Sequence, residues 1–311
     1  MRALVVTNMY PSAAHPARGS FVRDQVQALS RLPGLEVEVF AFEPGGGSPY
    51  PRAARELRRR YGDTRFDVVH AHFGLTAWPI LAVRGARRAV TLHGTDLVVR
   101  RSRAVTLAAL PFMDLVAPVS ESLAELLPDR LVPGGKLAIL PCGVSLERFH
   151  PVDRAQARRA LGLREDSRYL LFPADPARPE KRYDRALEIA GGAELLALGG
   201  VDPAEVSLWV NAADAVVVPS ERESFGLAVL EALACDVPVL ATDVGIAPEA
   251  LAGLPGAYCG PFDPARWRAA LAEVLARPDP RVAGRAVAER YSSVRMAQRV
   301  AEQWRRLCAK P

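Results

Sequence analysis

DAVVVPSERESFGLAVLEALACDVPVLAT, residues 214–242, contains a buried strand, a polar loop, a helix and a second strand in that order. DAVVVP is too apolar and too β-branched for a half-solvated edge, and VPVLAT repeats the pattern 23 residues later. Two such strands with a helix between them form a βαβ unit, which needs a parallel sheet. SERES is the connection, and the helix opens near Gly226, so the amides of Phe225, Gly226 and Leu227 have no carbonyl of their own helix to bond. Glu223 precedes this helix and Glu231 lies one to two turns into it. At the helical rise the two carboxylates stand roughly 10 Å apart on one edge, a spacing that suits a ligand with hydroxyls at both ends and a diphosphate between.

The same alternation runs through the chain. Strands are predicted at 2–7, 36–41, 67–71, 89–93, 115–119 and 137–140, with a first helix over 20–32. The Pro- and Gly-containing segment 141–153 reads as a linker, and a second series follows at 169–174, 194–199, 214–219 and 237–242. The fold class is α/β: two Rossmann-like domains, over 1–146 and 147–291. Residues 292–311 carry an amphipathic helix whose apolar Val294, Ala297, Val300, Ala301, Trp304 and Leu307 must pack on something.

The 311 residues, 24% charged and 50% hydrophobic, suffice for two separate cores. No apolar run approaches the roughly 18 to 20 residues of a spanning helix, and the first residues lack the pattern of a secretory signal, so a cytoplasmic location is expected. The four cysteines, Cys142, Cys235, Cys259 and Cys308, show no CxxC pair and are expected to be reduced and mostly buried. The net charge of +5 belongs to the first half: residues 1–150 hold 19 basic and 13 acidic residues, concentrated at 52–62, 84–88 and 100–103. Solvated helix faces account for this, and so does an anionic partner, either a phosphorylated acceptor or an acidic membrane surface. Nucleic acid is disfavoured, because no aromatic residues interleave with the arginines.

Open parallel sheets bind ligands beyond the carboxyl ends of their strands. Gly19 follows the first strand at a helix start, where it serves either as a turn glycine or as a point of close approach for a phosphate. His70 and His72 share one strand face, with no acidic residue spaced to complete a metal site, and a rim position touching ligand is expected. His93 ends a strand, suited to hydrogen-bonding a ligand oxygen or to a structural role. Arg178 and Lys181 lie between a strand and a helix, and Lys181 is one of three lysines in the chain. A planar guanidinium and a point-charge ammonium would clamp a diphosphate, whereas as mere surface charge they would oppose the helix dipole.

Taken together, PSERESFGLAVLEALACDVPVLATDVG (219–245), LPCGVSLERFHP (140–151), THGTD-type residues 91–96, NAADAVVVPS (211–220) and the opening VVTNMYPSAAHPARGSFVRDQVQAL resemble family 4 glycosyltransferases. The opening segment is similar to that of members that build cell-surface polysaccharides, such as the teichuronic acid branch. The resemblance implies a GT-B architecture with the two domains facing across a cleft and the last helix crossing back to the first. It implies an acceptor-binding first domain, a nucleotide-sugar-binding second domain and a retaining transfer with no cofactor and no metal. By resemblance, Glu231 binds ribose, Glu223 and His93 the transferred sugar, Val201 the base, and Arg178, Lys181, Gly19 and the amides of Phe225, Gly226 and Leu227 the diphosphate. Cys142, Ser224 and Asp236 depart from the family's usual Asn, Gly and Gly.

The expected function is transfer of a hexose from a nucleotide sugar, with UDP preferred over GDP, to a glycan, phosphorylated or lipid-linked acceptor. Peripheral contact with an anionic membrane is expected through the basic half. The alternatives are a sugar-nucleotide epimerase of the same fold and a catalytically silent partner subunit.

Overall fold

The structure is a computed structural model that describes residues 1–44 and 49–309; the glycine tract at 45–47 and its neighbour Ser48 therefore lie outside the described residues. The chain divides into two compact units, Met1–Gly143 with Ser293–Pro311, and Val144–Ser292.

In the first unit β1 (Arg2–Thr7), β2 (Glu36–Ala41), β3 (Val68–His72), β4 (Arg87–Leu92) and β5 (Leu115–Pro118) form a parallel sheet of order β2-β1-β3-β4-β5. β3 and β5 are buried along their whole length, whereas β2, at the edge, alternates polar glutamates with apolar residues. Residues 137–140 form no full strand: Ala138 donates to Val116 and Leu140 to Pro118, but only a single bridge, Val116 to Leu137, is made beside β5.

The helix Ser293–Ala309 packs against the helix Ser20–Ser30 and the core of this unit. It buries Met296, Ala297, Val300, Ala301, Trp304 and Leu307, while Val294 is exposed, contrary to the sequence reading. Met296, Val300, Trp304 and Leu307 fall at successive turns of one face, and Val294 lies just past the edge of the buried stripe opposite Met296.

In the second unit β6 (Tyr169–Phe172), β7 (Glu194–Ala197), β8 (Ala215–Val218), β9 (Val239–Ala241) and the short β10 (Tyr258–Cys259) pair in parallel in the order β10-β9-β8-β6-β7. Phe172, Ile189, Val217, Leu240, Trp267 and Leu271 meet in its core. At the start of β8 the fully buried Asp214 takes Arg154, Arg158 and Arg168 at 3.0, 2.7 and 3.2 Å and the Tyr169 amide at 2.8 Å. A carboxylate so placed must be saturated with donors, and the four contacts supply them.

Asp236 occupies the left-handed region at φ 57°, just past the helix Leu227–Ala234. Glycine is the usual residue for such a helix end; aspartate tolerates it because its carboxylate accepts from the Arg285 amide at 2.7 Å. The four cysteines are free thiols: Cys235 is buried, Cys142 and Cys259 are half-buried and Cys308 is exposed, so fewer are buried than the sequence led us to expect. Burial pushes Cys142 and Cys235 up to about 12, which keeps both as unreactive thiols.

Candidate active site

Each sheet reverses its strand order at one place, between β1 and β3 in the first unit and between β6 and β8 in the second. The loops beyond these strands diverge to opposite faces and leave a crevice, so ligand-binding residues collect there. Directly after β3 and in the loop after β6, two of the three non-glycine residues with positive φ among the described residues, Phe73 at 80° and Arg182 at 57°, mark strained backbone.

In the second unit the loop after β6 carries Lys181 and the loop after β8 carries Glu223. Lys181 Nζ donates to Glu223 Oε1 at 2.6 Å, and Ser220 Oγ donates to the same oxygen at 2.7 Å. The loops are tied by the Glu221 amide, which donates to the Glu180 carbonyl at 2.9 Å. Thr242 Oγ1, beyond β9, donates to the Ser220 carbonyl at 2.6 Å and fixes the serine. Lys181 and Glu223 are 16% and 10% exposed, enough for a ligand to reach them while water competes little. Arg178 lies in the same loop but is 55% exposed, and its Nη2 and Nε donate to Glu180 Oε1 at 2.7 and 3.0 Å.

The helix Leu227–Ala234 begins beside this pair. Gly226 caps it at φ 92° and ψ 49°, a conformation glycine reaches without strain. The Phe225 carbonyl accepts from Ile246 at 2.7 Å, and Phe225 is buried. Gly245, at φ 61°, makes this approach possible: a Cβ there would lie 2.5 Å from the Phe225 oxygen and 2.8 Å from Glu223 Cβ. Glu231 sits one turn beyond Leu227, half-buried. Val201, half-buried, is in the loop after β7, next to the β6 loop in the sheet order.

In the first unit β4 ends at Leu92, so His93 is the first residue past the strand rather than its last. The buried Asp96 carboxylate accepts the amides of His93, Gly94 and Gly74 at 3.0, 2.7 and 3.1 Å and holds the turn. His93 Nε2 lies 3.0 Å from His72 Nδ1, and Phe21 packs on the His93 ring at 4.8 Å between centroids. His70 and His72 are fully buried, which corrects the rim position expected for them. His70 bonds Thr91 Oγ1 at 2.7 Å and accepts from the Trp304 indole at 2.9 Å. Burial lowers all three histidines: His72 to about 3, and His70 and His93 well below the usual imidazole range, with His72 reinforcing both.

Gly19 is buried at φ 63°, and a Cβ there would lie 2.2 Å from the Met9 carbonyl oxygen. The loop after β1 therefore requires this glycine for its own packing, whatever else the position does.

Sequence reasoning singled out Lys181, Glu223 and His93 but missed Ser220, Thr242, Gly245 and Trp304. Asp96 carried a signal, an acidic residue in the first turn after a glycine. Thr242, Gly245 and Trp304 act through partners remote in sequence, whereas Ser220 bonds Glu223 three residues on and reads in the sequence only as part of a polar loop.

Two five-stranded parallel sheets, each with polar side chains gathered near its strand-order reversal, are the pair of Rossmann-like folds that GT-B proteins share. Sucrose-phosphate synthase from Thermosynechococcus elongatus shares the fold over the whole of both chains, with a TM-score of 0.79 and 20% identity. A sequence model described as Glycosyltransferase Family 4 matches residues 5–148, and one described as Glycosyl transferases group 1 matches residues 162–290. A D-inositol 3-phosphate glycosyltransferase from Thermobispora bispora is 32% identical over 291 residues, an alignment covering 75% of this chain and 68% of the relative. TuaC of Bacillus subtilis, named for teichuronic acid biosynthesis, is 25% identical over 320 residues, covering 79% of this chain and 82% of TuaC. The chain belongs to glycosyltransferase family 4.

Proposed function

We propose that the chain is a retaining transferase that moves a hexose from a nucleoside diphosphate, uridine before guanosine, to a hydroxyl of a glycan, phosphorylated or lipid-linked acceptor. The observation that carries this reading is the Lys181–Glu223 pair at the β6–β8 reversal, beside the N-terminus of the helix Leu227–Ala234. An ammonium and unbonded helix amides are suited to a diphosphate, and a carboxylate braced by Ser220 is suited to sugar hydroxyls.

In this reading the acceptor oxygen forms a bond to the anomeric carbon as the carbon–phosphate oxygen bond breaks. The acceptor proton passes to the departing phosphate oxygen, and the nucleoside diphosphate leaves. Negative charge grows on that phosphate, and Lys181, Arg178 and the amides of Phe225, Gly226 and Leu227 stabilise it in place of a metal ion. To contribute, Arg178 must exchange Glu180 for the diphosphate. Glu231 holds the ribose, Val201 borders the base, Gly19 adds its amide, and His93 and Glu223 bind the transferred sugar. The first unit takes the acceptor and the second the donor.

The names of both relatives describe transferases, which supports transfer over epimerisation of the donor alone. The presence of Lys181, Glu223 and His93 speaks against a silent subunit.

No helix among the described residues is long and apolar enough to cross a membrane. A lipid-linked acceptor would instead be met at the surface. Trp78, Val98, Val99, Val105 and Phe112 are exposed, Trp78 touches Phe112 at 6.0 Å between ring centroids, and Arg100 and Arg101 open the same helix as Val105. Apolar side chains flanked by arginines complement an anionic lipid surface.

A thermal-shift series across nucleoside diphosphates tests the donor reading, since specific binding raises the melting temperature by mass action. UDP is expected to give the largest shift, and transfer is expected to continue in a chelator. No shift with any nucleoside diphosphate would overturn the reading.

A further inference from the structure

The chain places three histidines in a row, and two of them carry no role in the transfer. Burial keeps His70, His72 and His93 neutral at ordinary pH, so each ring holds a single proton. The position of one of these protons is forced. An indole nitrogen only donates, so His70 Nδ1, 2.9 Å from Trp304 Nε1, is the acceptor, and His70 Nε2–H donates to Thr91 Oγ1.

The pair His72–His93 is forced by a second argument. At 3.0 Å the two facing nitrogens, His72 Nδ1 and His93 Nε2, share one proton between them. If His93 donates, the His72 proton moves to Nε2, which is buried and has no hydrogen-bond partner among the described residues. An orphaned buried N–H is the rarer and costlier defect, whereas a bare ring nitrogen is only an unused acceptor. His72 therefore donates through Nδ1. His93 accepts through Nε2 and carries its own proton on Nδ1, for which the described residues offer no partner.

We infer that His72 is a positioning residue that locks His93 as the Nδ1–H tautomer, so that His93 offers a ligand a hydrogen-bond donor and no lone pair. The Phe21 ring on one side and the Asp96-held turn fix the direction of that donor. His93 is thereby excluded as a general base and suited to a sugar hydroxyl oxygen. The use of the donor in transfer rests on the function proposed above; the lock itself does not.

Nitrogen NMR of isotope-labelled histidine in the unliganded full chain reads the lock directly, with His93 assigned by its loss in His93→Gln. The wild type is expected to show His93 protonated on Nδ1. His72→Phe, which keeps a ring in the buried slot, is expected to return His93 to the Nε2–H form that free imidazole favours. His72→Asn keeps a donor near the position of Nδ1 and is expected to preserve the wild-type signature. A wild-type His93 protonated on Nε2, or a signature unchanged in His72→Phe, overturns the inference. Turnover is read separately on the same variants: the lock predicts a fall in kcat of about tenfold or more in His72→Phe and recovery in His72→Asn. A tautomer switch without that fall would leave the lock standing and remove His93 from the proposed donor site.

Discussion

Lys181 Nζ and Glu223 Oε1 are 2.6 Å apart although 42 residues separate them, because β6 and β8 are neighbours in the sheet and their loops turn toward one another. The pair holds an ammonium in place before any ligand arrives, and the carboxylate keeps a second hydrogen bond from Ser220. Removing either partner leaves the other nearly buried and short of a contact.

Lys181→Ala is expected to lower turnover by about two to three orders of magnitude, the usual effect of deleting one fixed group that stabilises a departing charge. Glu223→Gln keeps the shape and is expected to weaken transfer while the fold survives. Near wild-type turnover with the true donor in Lys181→Ala would sink the assignment; circular dichroism checks the fold.

Gly245→Ala places a methyl against the Phe225 carbonyl and Glu223 Cβ at a left-handed backbone. We expect about 1–3 kcal/mol of lost stability from the strain and clash, together with weaker nucleotide binding, because the loop carrying Glu223 must shift. Chemical denaturation and calorimetric titration with UDP measure the two effects. Unchanged nucleotide affinity would separate Gly245 from the site.

Asp214→Asn removes the carboxylate on which Arg154, Arg158 and Arg168 converge. Stability is expected to fall by about 3–5 kcal/mol, since the buried Arg158 guanidinium loses its counter-charge, with Arg154 and Arg168, both partly exposed, adding less. Urea midpoints of the two proteins give the comparison.

Acid is expected to destabilise the first unit through its buried histidines. The folded value of His72, about 3, lies below the unfolded value of 6.5, so the unfolded chain binds more protons throughout that window. Stability is therefore full above the unfolded value and is lost as pH falls towards the folded one. His72 alone accounts for about 2 kcal/mol between roughly pH 7 and pH 5, and His70 and His93 act in the same direction. Denaturation midpoints across this range in the wild type and in His72→Phe provide the measurement; equal slopes would contradict it.

Val105→Asp with Phe112→Asp is expected to abolish co-sedimentation with vesicles rich in anionic lipid while leaving donor binding intact. Arg58, Arg59 and Arg60 lie exposed on the outer side of the helix Pro49–Tyr61, whose inner side buries Ala53, Leu57 and Tyr61. Neutralising these three is expected to weaken vesicle binding less than the apolar pair does, because salt screens charge alone.

The strands and their parallel sense were legible because buried β-branched runs alternating with helical periods admit few other folds. Lys181 stood out against a background of arginine, and Glu223 and Glu231 by their spacing around a helix start. Periodicity misplaced one side chain of the last helix, choosing exposed Val294 over buried Met296, since both lie near the edge of an apolar stripe. It also read 137–140 as a strand, where the chain borders β5 through one bridge and a few hydrogen bonds.

By itself, then, the sequence determined the two α/β units, the loops in which chemistry would be found and the residue types gathered there, because all of these follow from local pattern. Only the tertiary structure decided which of those residues meet. Lys181 reaches Glu223, His72 reaches His93, and Trp304 reaches His70 across 234 residues. Such pairings depend on strand order and helix packing, which bring distant segments together through burial of surface that no local window of sequence records.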